Sequence, residues 1–241
     1  MSQDAEIYST SKGAVIIKSP VKNQMIHLLL NDDLTLDDIS KRLDKAKSTV
    51  SVHLSDLKDL GVVEERPHPE DRRKKIFFLN SKLLGGSEIP YDKHYKEILN
   101  NLRKAENDKY EFLKSLFHLI RFGLINFGLD VHPALREIGR DAGRSIAKDF
   151  SSTEMTDLLE EISDFWKKNG LGEMVIDSDN EVIVHDCFDC GDMPDIESTL
   201  CSLDEGMIEG IIEEKIGVEA TVREKECYGM GDEHCRFKIE M

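Results

Sequence analysis

The residues with the clearest potential for chemistry lie near the end of the 241-residue chain. They are three cysteines and one glutamate: Cys201, Glu224, Cys227 and Cys235. Thiolates and a carboxylate are donors that a tetrahedral zinc ion accepts, and four protein ligands make a closed, structural site. The glycines that follow Cys227 lower the cost of closing the loop. The pattern predicts a zinc site, and the alternative is a set of buried cysteines that pack as small hydrophobic residues.

A histidine beside the last cysteine offers a second way to complete this site. His234 could replace Glu224 as the fourth ligand. Neighbouring residues in a strand point to opposite faces of a sheet, so His234 and Cys235 would not both face one ion. We therefore expect Glu224 to be the ligand.

The other two cysteines, Cys187 and Cys190, form a CxxC pair. Two thiols at this spacing can form a local disulfide or contribute to a metal site. Asp186, Asp189 and Asp192 surround them, and this negative charge raises a thiol pKa, which argues against a highly activated thiolate. From the residues alone, a redox role for the pair and an incidental or auxiliary metal role both stay open.

A second group of residues, near the start of the chain, is typical of DNA binding. A helix predicted over about 48–60 would bury Val50, Leu54 and Leu57. Its other side carries groups that bond phosphates or base edges, and a charged β-hairpin with a basic tip follows it. The alternative is a small helical domain with a solvated basic loop. The predicted DNA-binding residues are Lys47, Ser48, Thr49, Ser51, His53, Arg72, Arg73, Lys74 and Lys75.

The charge distribution places any DNA contact in the first third of the chain. The formal net charge is −16, yet residues 1–82 carry 14 Lys and Arg against 13 Asp and Glu. Residues 83–241 carry 18 against 35, and phosphates would repel them. There is neither a membrane-spanning apolar run nor a signal peptide, so we expect a cytoplasmic protein whose cysteines stay reduced or bind metal.

Helix and turn patterns predict an α+β fold class with an N-terminal winged helix-turn-helix domain over 1–82. Residues 1–12 are expected to be loose, and 13–18 to form a short strand. Pro20 and a capping box at Thr35–Asp38 begin two helices. The third helix and the hairpin complete the domain.

A linker is expected over 81–92, followed by one long helix over about 94–122. Its apolar residues recur near every 3.5 positions, so the connecting region 83–122 would pair two subunits. Residues 123–241 are predicted to form an α/β domain. Its predicted elements are helices from Pro133 and Thr153, strands at 174–176 and 182–184, a helix over about 198–216, and two final strands.

Parts of the chain resemble known families. Lys47–Leu54 with Leu60–Val63 is similar to the recognition helix of the ArsR and MarR groups of regulators, and Pro69–Arg73 resembles the MarR wing. From about residue 96 the chain resembles a 4-vinyl reductase domain, most clearly at Glu224–Phe237. A winged helix joined to such a domain looks like the methanogen-specific vinyl-reductase-domain regulators of archaea.

The resemblance implies a redox-responsive transcription regulator. Because the predicted helix over 94–122 would pair two subunits, we expect a homodimer whose two winged helices bind the half-sites of a pseudo-palindromic operator in double-stranded DNA. The resemblance also implies that Cys187 and Cys190 respond to oxidation. In the related sensor domains of aromatic-responsive activators, zinc is held by a helix Cys, a Glu and two Cys of the signature. Carried over to this chain, the ligands are Cys201, Glu224, Cys227 and Cys235.

Three other functions compete with this interpretation. A small apolar ligand, bound in a pocket lined by Phe117, Phe122 and Phe127, could gate the regulator instead. A reductase acting on vinyl groups is a second alternative. No nucleotide-binding glycine loop, Ser-His-Asp arrangement or open metal site supports it, so we expect no enzyme. The third is a structural module whose helices contact only other proteins.

Overall fold

The computed structural model describes residues 5–105 and 108–241 and divides the chain into two compact units, one ending at Glu88 and the other beginning at Ile89. Each unit has its own hydrophobic core. The α+β fold class is confirmed. Within the described ranges, no helix has both the length and the apolar character that crossing a membrane requires.

The first unit contains three consecutive helices followed by a β-hairpin, in the order predicted for a winged helix-turn-helix. A short strand before the second helix pairs with the hairpin, so the sheet order is β3-β5-β4. The elements are β1 (Glu6–Thr10), β2 (Gly13–Ile17), α1 (Pro20–Leu29), β3 (Leu34–Thr35), α2 (Leu36–Leu43), α3 (Lys47–Asp59), β4 (Val63–Pro67), β5 (Lys75–Leu79) and β6 (Lys82–Ser87).

The helix starts follow the local sequence closely. Pro20 is the first residue of α1, where its missing N–H costs nothing. At α2, the Thr35 hydroxyl accepts from the backbone N–H of Asp38, and the Asp38 carboxylate accepts from the backbone N–H of Thr35. The predicted capping box is therefore confirmed.

Two strands, one near the beginning and one near the end of the first unit in sequence, were not predicted. The predicted loose segment 1–12 contains β1, which forms a hairpin with β2, and the predicted linker 81–92 contains β6. Strand β6 pairs antiparallel with β1, across more than 70 residues of sequence. A partner so distant leaves no local signal, which is why the glycines of β6 resembled a linker.

The second unit begins with a helical pair and closes with an antiparallel sheet in the order β10-β11-β9-β8. Its elements are α4 (Tyr95–Lys104), α5 (Lys109–Asn126), β7 (Leu129–Asp130), α6 (His132–Ile146), α7 (Met155–Lys168), β8 (Glu173–Ser178), β9 (Glu181–His185), α8 (Ser202–Ile216), β10 (Thr221–Glu226) and β11 (Cys235–Glu240).

The single long helix predicted over 94–122 is wrong. Helix α4 ends at Lys104, and Asp108 caps a new helix by accepting from the backbone N–H groups of Tyr110 and Glu111. The end of α5 packs against the start of α4. Gly123 near the end of α5 lies beside Tyr95, the first residue of α4, since a Cβ added to the glycine would be 3.7 Å from the tyrosine ring. The apolar spacing therefore belongs to two helices that pack on each other.

Helices α6 and α8 pack with their backbones in contact, which only glycine permits. A Cβ on Gly206 would overlap the carbonyl oxygen of Arg136, and one on Gly143 would overlap that of Met207. Gly139 and Gly210 are equally crowded. Beside this seam, three arginines of α6 pair with glutamates of α8, the fully buried Glu209 among them.

Candidate metal centre

All five cysteines of the chain are fully buried and come together in the second unit. Each one lies at the end of an element or in the loop beside it. Cys187 and Cys190 follow β9, Cys201 is the residue before α8, Cys227 follows β10, and Cys235 begins β11.

Four of the thiols and one carboxylate form the central cluster. The ligand atoms of Cys190, Cys201, Glu224, Cys227 and Cys235 all lie within 4.8 Å of one another. Between sulfur atoms, Cys190 lies 3.1 Å from Cys235 and 3.2 Å from Cys201, and Cys201 lies 3.8 Å from Cys235. The four predicted ligands are thus brought together, and Cys190 lies among them although it was expected to be separate.

Cys187 lies at the margin of this cluster. Its Sγ is 3.6 Å from Sγ of Cys201 and 3.7 Å from Oδ2 of Asp204. These three buried residues form a second group of donors that shares Cys201 with the central cluster. Burial, more than any neighbouring charge, raises the pKa of Asp204 well above its usual range.

The carboxylate of Glu224 has one oxygen engaged and one without a partner. Oε2 accepts from the backbone N–H groups of Leu200 and Cys201, at 3.1 and 3.0 Å. Oε1 is buried and has no hydrogen-bond partner. Burial, and then the Cys227 thiolate, raise the pKa of Glu224 to about 9. A bulge in β10 immediately after Glu224 accompanies this placement.

Glycines allow the loops to close around the sulfurs. A Cβ on Gly191 would lie 2.7 Å from the carbonyl oxygen of Cys187, and one on Gly229 would lie 2.7 Å from that of Ser198. Gly231 takes a φ of 86°, which ends the turn between Cys227 and Cys235. The glycines after Cys227 therefore help this loop to close, as the sequence indicated.

A buried arginine, which the sequence patterns did not single out, ties two of the cysteine loops together. Arg121 on α5 is 2% exposed and donates to the carbonyl oxygens of Leu200, at 2.9 Å, and Asp189. The same guanidinium lies 3.3 Å from Oδ2 of Asp189. Burial raises the pKa of Asp189 to about 7, and the arginine opposes that rise. A charged residue within an apolar helical stretch was the available signal.

The electrostatics of the cluster favour a cation. Hydrogen bonds from neighbouring thiols, Cys190 first, lower the pKa of Cys187 and Cys227 far below the usual value. The pKa of Cys235 is correspondingly raised, with the contact to Cys187 as the main cause. Buried thiolates without a metal would be costly charges, and a divalent ion bound among them would compensate that charge.

The donor set fits a tetrahedral thiophilic ion. At a Zn–S distance of about 2.3 Å, the sulfurs of a tetrahedral site lie about 3.8 Å apart. The Cys201–Cys235 separation is 3.8 Å, and the two separations from Cys190 are shorter. The orphaned Oε1 of Glu224 is a further donor. His234 is engaged elsewhere, because its Nε2 lies 2.5 Å from the carboxylate of Glu226.

The predicted DNA-binding residues lie on one helix and one hairpin of the first unit. All are exposed except His53, which is half-buried and whose Nδ1 has no hydrogen-bond partner. Several are held in ion pairs, such as Lys47 with Asp37 and Lys75 with Glu65. Between α3 and the hairpin lies a cleft of about 520 Å³ with Ser51 and Lys74 in its lining.

One exposed residue of α3 was not among the predicted DNA-binding residues. Val52 is 60% exposed, because it is offset from the buried positions Val50 and Leu54 around the helix. An exposed apolar side chain beside Ser51 can contact the methyl group of thymine. Its position between Ser51 and His53, two predicted DNA-binding residues, was the available indication in the sequence.

The three phenylalanines predicted to line an apolar pocket do not converge. Phe122 is buried beside Tyr91, Phe117 lies under the Arg121 guanidinium, and Phe127 is 69% exposed. A cavity of about 360 Å³ between α4 and α5 is lined instead largely by polar residues, including Asn101, Lys104, Glu111, His118 and Asp192.

Known families match two segments of the chain. Residues 180–241 match the 4-vinyl reductase domain, and residues 19–65 match bacterial regulatory proteins of the arsR family. The "Uncharacterized protein MJ0745" of Methanocaldococcus jannaschii is 31% identical over 164 residues, which cover 67% of this chain and 83% of that protein. MJ0150 of the same organism is 30% identical over 131 residues, covering 53% of this chain and 75% of that protein.

Two solved structures are also similar. A vinyl-4-reductase family protein from Methanocaldococcus jannaschii is 20% identical, with a TM-score of 0.39, and the match covers 61% of this chain and 94% of that one. The phenol-responsive sensory domain of the transcription activator PoxR is 17% identical, with a TM-score of 0.37 and coverage of 79% and 89%. On the sequence matches, the chain belongs to the family of archaeal proteins with a 4-vinyl reductase domain and is a transcription regulator that joins an arsR-type DNA-binding domain to that sensor domain.

Proposed function

We propose that this protein is a redox-responsive transcription regulator whose 4-vinyl reductase domain holds a structural zinc ion next to oxidisable cysteines. The observation that carries the proposal is the buried cluster of four thiols and one carboxylate within 4.8 Å. Such a set matches the donors that zinc prefers, and thiolates bound to zinc remain open to oxidation.

The residues that would hold the ion come from the predicted set Cys201, Glu224, Cys227 and Cys235, with Cys190 as a further candidate in the same cluster. Bound zinc would supply a cross-link between the loop before α8 and the β10–β11 turn. A site closed by four protein ligands leaves no position for a substrate, so we propose regulation, and not reduction of a vinyl group, as its role.

Oxidation would act through the loop that follows β9. Cys187 and Cys190 lie in one tight turn, in which the N–H of Gly191 donates to the carbonyl oxygen of Cys187 at 2.7 Å. Arg121 joins this turn to α5. Oxidation of these thiols would therefore alter a turn that is bonded directly to α5.

The form that binds DNA is proposed to be a homodimer. Exposed apolar side chains recur at intervals of seven residues, at Leu113 and Ile120 on α5 and at Phe127 directly after its end. This is the spacing of a helix–helix seam. Two winged helices would then bind the half-sites of a pseudo-palindromic operator through the α3 residues and the basic hairpin tip.

Metal analysis combined with DNA binding tests the proposal. We expect about one zinc per chain in reduced protein, and a changed affinity for the DNA upstream of its own gene after peroxide treatment. Cys187→Ala and Cys190→Ala should each abolish the redox dependence, and Cys187→Ala should leave folding and reduced-state binding intact. Ser178→Ala, at the exposed end of β8, is the matched control. Zinc-free protein, or two cysteine variants that still switch, would contradict the proposal.

A further inference from the structure

The central cluster contains one donor more than a tetrahedral ion can use. Four thiols and the carboxylate of Glu224 lie within 4.8 Å of one another. Zinc in structural sites binds four protein ligands. One of the five must therefore be left out, and the contacts of Cys190 and Glu224 distinguish these two candidates.

Cys190 is held inside the cluster by several independent contacts. Its sulfur lies 3.1 Å from that of Cys235 and 3.2 Å from that of Cys201, so it is already closer to them than the edge of a zinc–sulfur tetrahedron, about 3.8 Å. The preceding residue, Asp189, is bound through its carbonyl oxygen and its carboxylate by Arg121.

That arginine also fixes where Cys190 lies relative to Cys201. Arg121 donates at the same time to the carbonyl oxygen of Leu200, the residue before Cys201. One buried guanidinium therefore binds the carbonyl groups of the two residues that directly precede Cys190 and Cys201. A redox cysteine outside the metal site would not need this positioning.

Glu224 already has another structural task. Its Oε2 accepts from the backbone N–H groups of Leu200 and Cys201 and so holds the segment that presents the Cys201 thiol. Only Oε1 is left, buried and without a hydrogen-bond partner. This arrangement suits a residue that positions a ligand and can take its place.

Building on the proposed zinc site, we infer that Cys190, Cys201, Cys227 and Cys235 hold the ion as four thiolates, and that Glu224 is a positioning residue and the reserve donor. Cys187 is then the one cysteine of the chain outside the metal site. This ligand set differs from the one carried over by resemblance, because Cys190 replaces Glu224.

X-ray absorption at the zinc edge of the full-length, reduced protein tests the inference by counting ligands. Sulfur at about 2.3 Å is distinct from oxygen or nitrogen at about 2.0–2.2 Å. We expect four sulfurs in the wild type and in Glu224→Gln, which keeps an oxygen to accept from the two N–H groups. Cys190→Ala should retain zinc with three sulfurs and one oxygen. Cys187→Ala, the matched control, should keep four sulfurs.

Three sulfurs and one lighter ligand in the wild type, unchanged in Cys190→Ala, would overturn the inference while leaving the zinc site itself in place. Protein that binds no zinc would instead overturn the proposed function, so the two failures are distinguishable. If Cys190→Ala does not fold, the sulfur counts of the wild type and of Glu224→Gln still decide the question. Circular dichroism of each variant establishes that it is folded.

Discussion

At the scale of single residues, the cysteine site depends on charged groups that water does not reach. Arg121 and Asp189 are both buried and pair with each other, and the guanidinium also holds two loop carbonyls. Removing one partner of such a pair leaves the other charge without compensation, which costs more than the intact pair contributes. The pair therefore fixes geometry more than it adds stability.

We expect Arg121→Met to lower the free energy of unfolding by about 3–5 kcal/mol, because Asp189 loses its counter-charge and two carbonyls lose their donor. Adding Asp189→Asn should recover part of that loss, since the amide carries no charge to compensate. Urea unfolding at neutral pH measures both variants. A loss below about 1 kcal/mol in Arg121→Met would show that the guanidinium is not needed to hold the loops.

The buried His118 predicts a pH dependence of stability. Its Nε2 lies 2.8 Å from the carbonyl oxygen of Phe188, and burial, followed by the Arg121 cation, lowers its pKa to about 4. Between about pH 6.5 and 4 the unfolded chain binds a proton that the folded chain does not, so stability falls as the pH falls.

Between about pH 7.5 and 5 we expect His118 to cost about 1–2 kcal/mol of unfolding free energy. The difference between wild type and His118→Gln, measured by urea unfolding at both pH values, isolates this contribution from the other titrating groups. Equal losses in the two proteins would contradict it. His27→Gln, at a half-exposed histidine in the other unit, is the control.

At the scale of elements, the contact between α6 and α8 determines the position of α8 and of Cys201, the residue that precedes it. Glycines let the two backbones touch, and three arginines of α6 add ion pairs with glutamates of α8. The N–H of Val222 on β10 donates to Glu209 of α8 at 2.7 Å, and that of Glu224 donates to Glu205. The seam thereby sets the position of the strand that leads to Cys227.

Gly206→Ala should destabilise the second unit by about 1–3 kcal/mol or more, because the new methyl group would overlap the carbonyl oxygen of Arg136 and force the helices apart. Gly123→Ala is the matched control. It also lies within a helix, but its Cβ would meet only a tyrosine ring at 3.7 Å. That change should be neutral or stabilising by up to about 1 kcal/mol.

Thermal and urea unfolding of the two glycine variants compare the helix seam with an ordinary helix interior. Equal stability in both variants would mean that the seam can open without cost. The same experiment on zinc-loaded protein would show whether the seam supports the cysteine site.

At the scale of the whole molecule, charge separates the two tasks of the chain. Residues 83–241 carry 18 Lys and Arg against 35 Asp and Glu, which accounts for all of the net negative charge, while the winged helix is near neutral with a basic hairpin tip. An acidic sensor unit repels phosphates, so we expect DNA contact at the α3 surface and the hairpin. Binding should therefore depend strongly on salt and on few residues.

Replacing Arg72 and Lys74 by Ala should weaken DNA binding and lower the slope of log affinity against log salt by about one for each phosphate that the variant no longer neutralises. Fluorescence anisotropy with operator DNA at several salt concentrations measures this slope. Lys18→Ala, at an exposed lysine after β2, is the matched control. An unchanged slope in the hairpin variant would place the DNA-binding surface elsewhere.

Local patterns determined much of this protein in advance. The capping box at Thr35–Asp38, the periodic leucines of α3 and the glycine-rich turn after Cys227 each act within a few residues, so the sequence alone predicts the winged helix and the four expected donors. The predicted single helix over 94–122 was wrong because a cap at Asp108 starts a second one.

Only the tertiary structure decided which cysteines meet. Cys190 lies 45 residues before Cys235, and its place beside that thiol depends on the pairing of β9 with β11 and on Arg121, which lies 68 residues before Asp189. Contacts across such separations leave no periodic trace in a single sequence, because the packing of helices and strands that creates them is itself the result of folding.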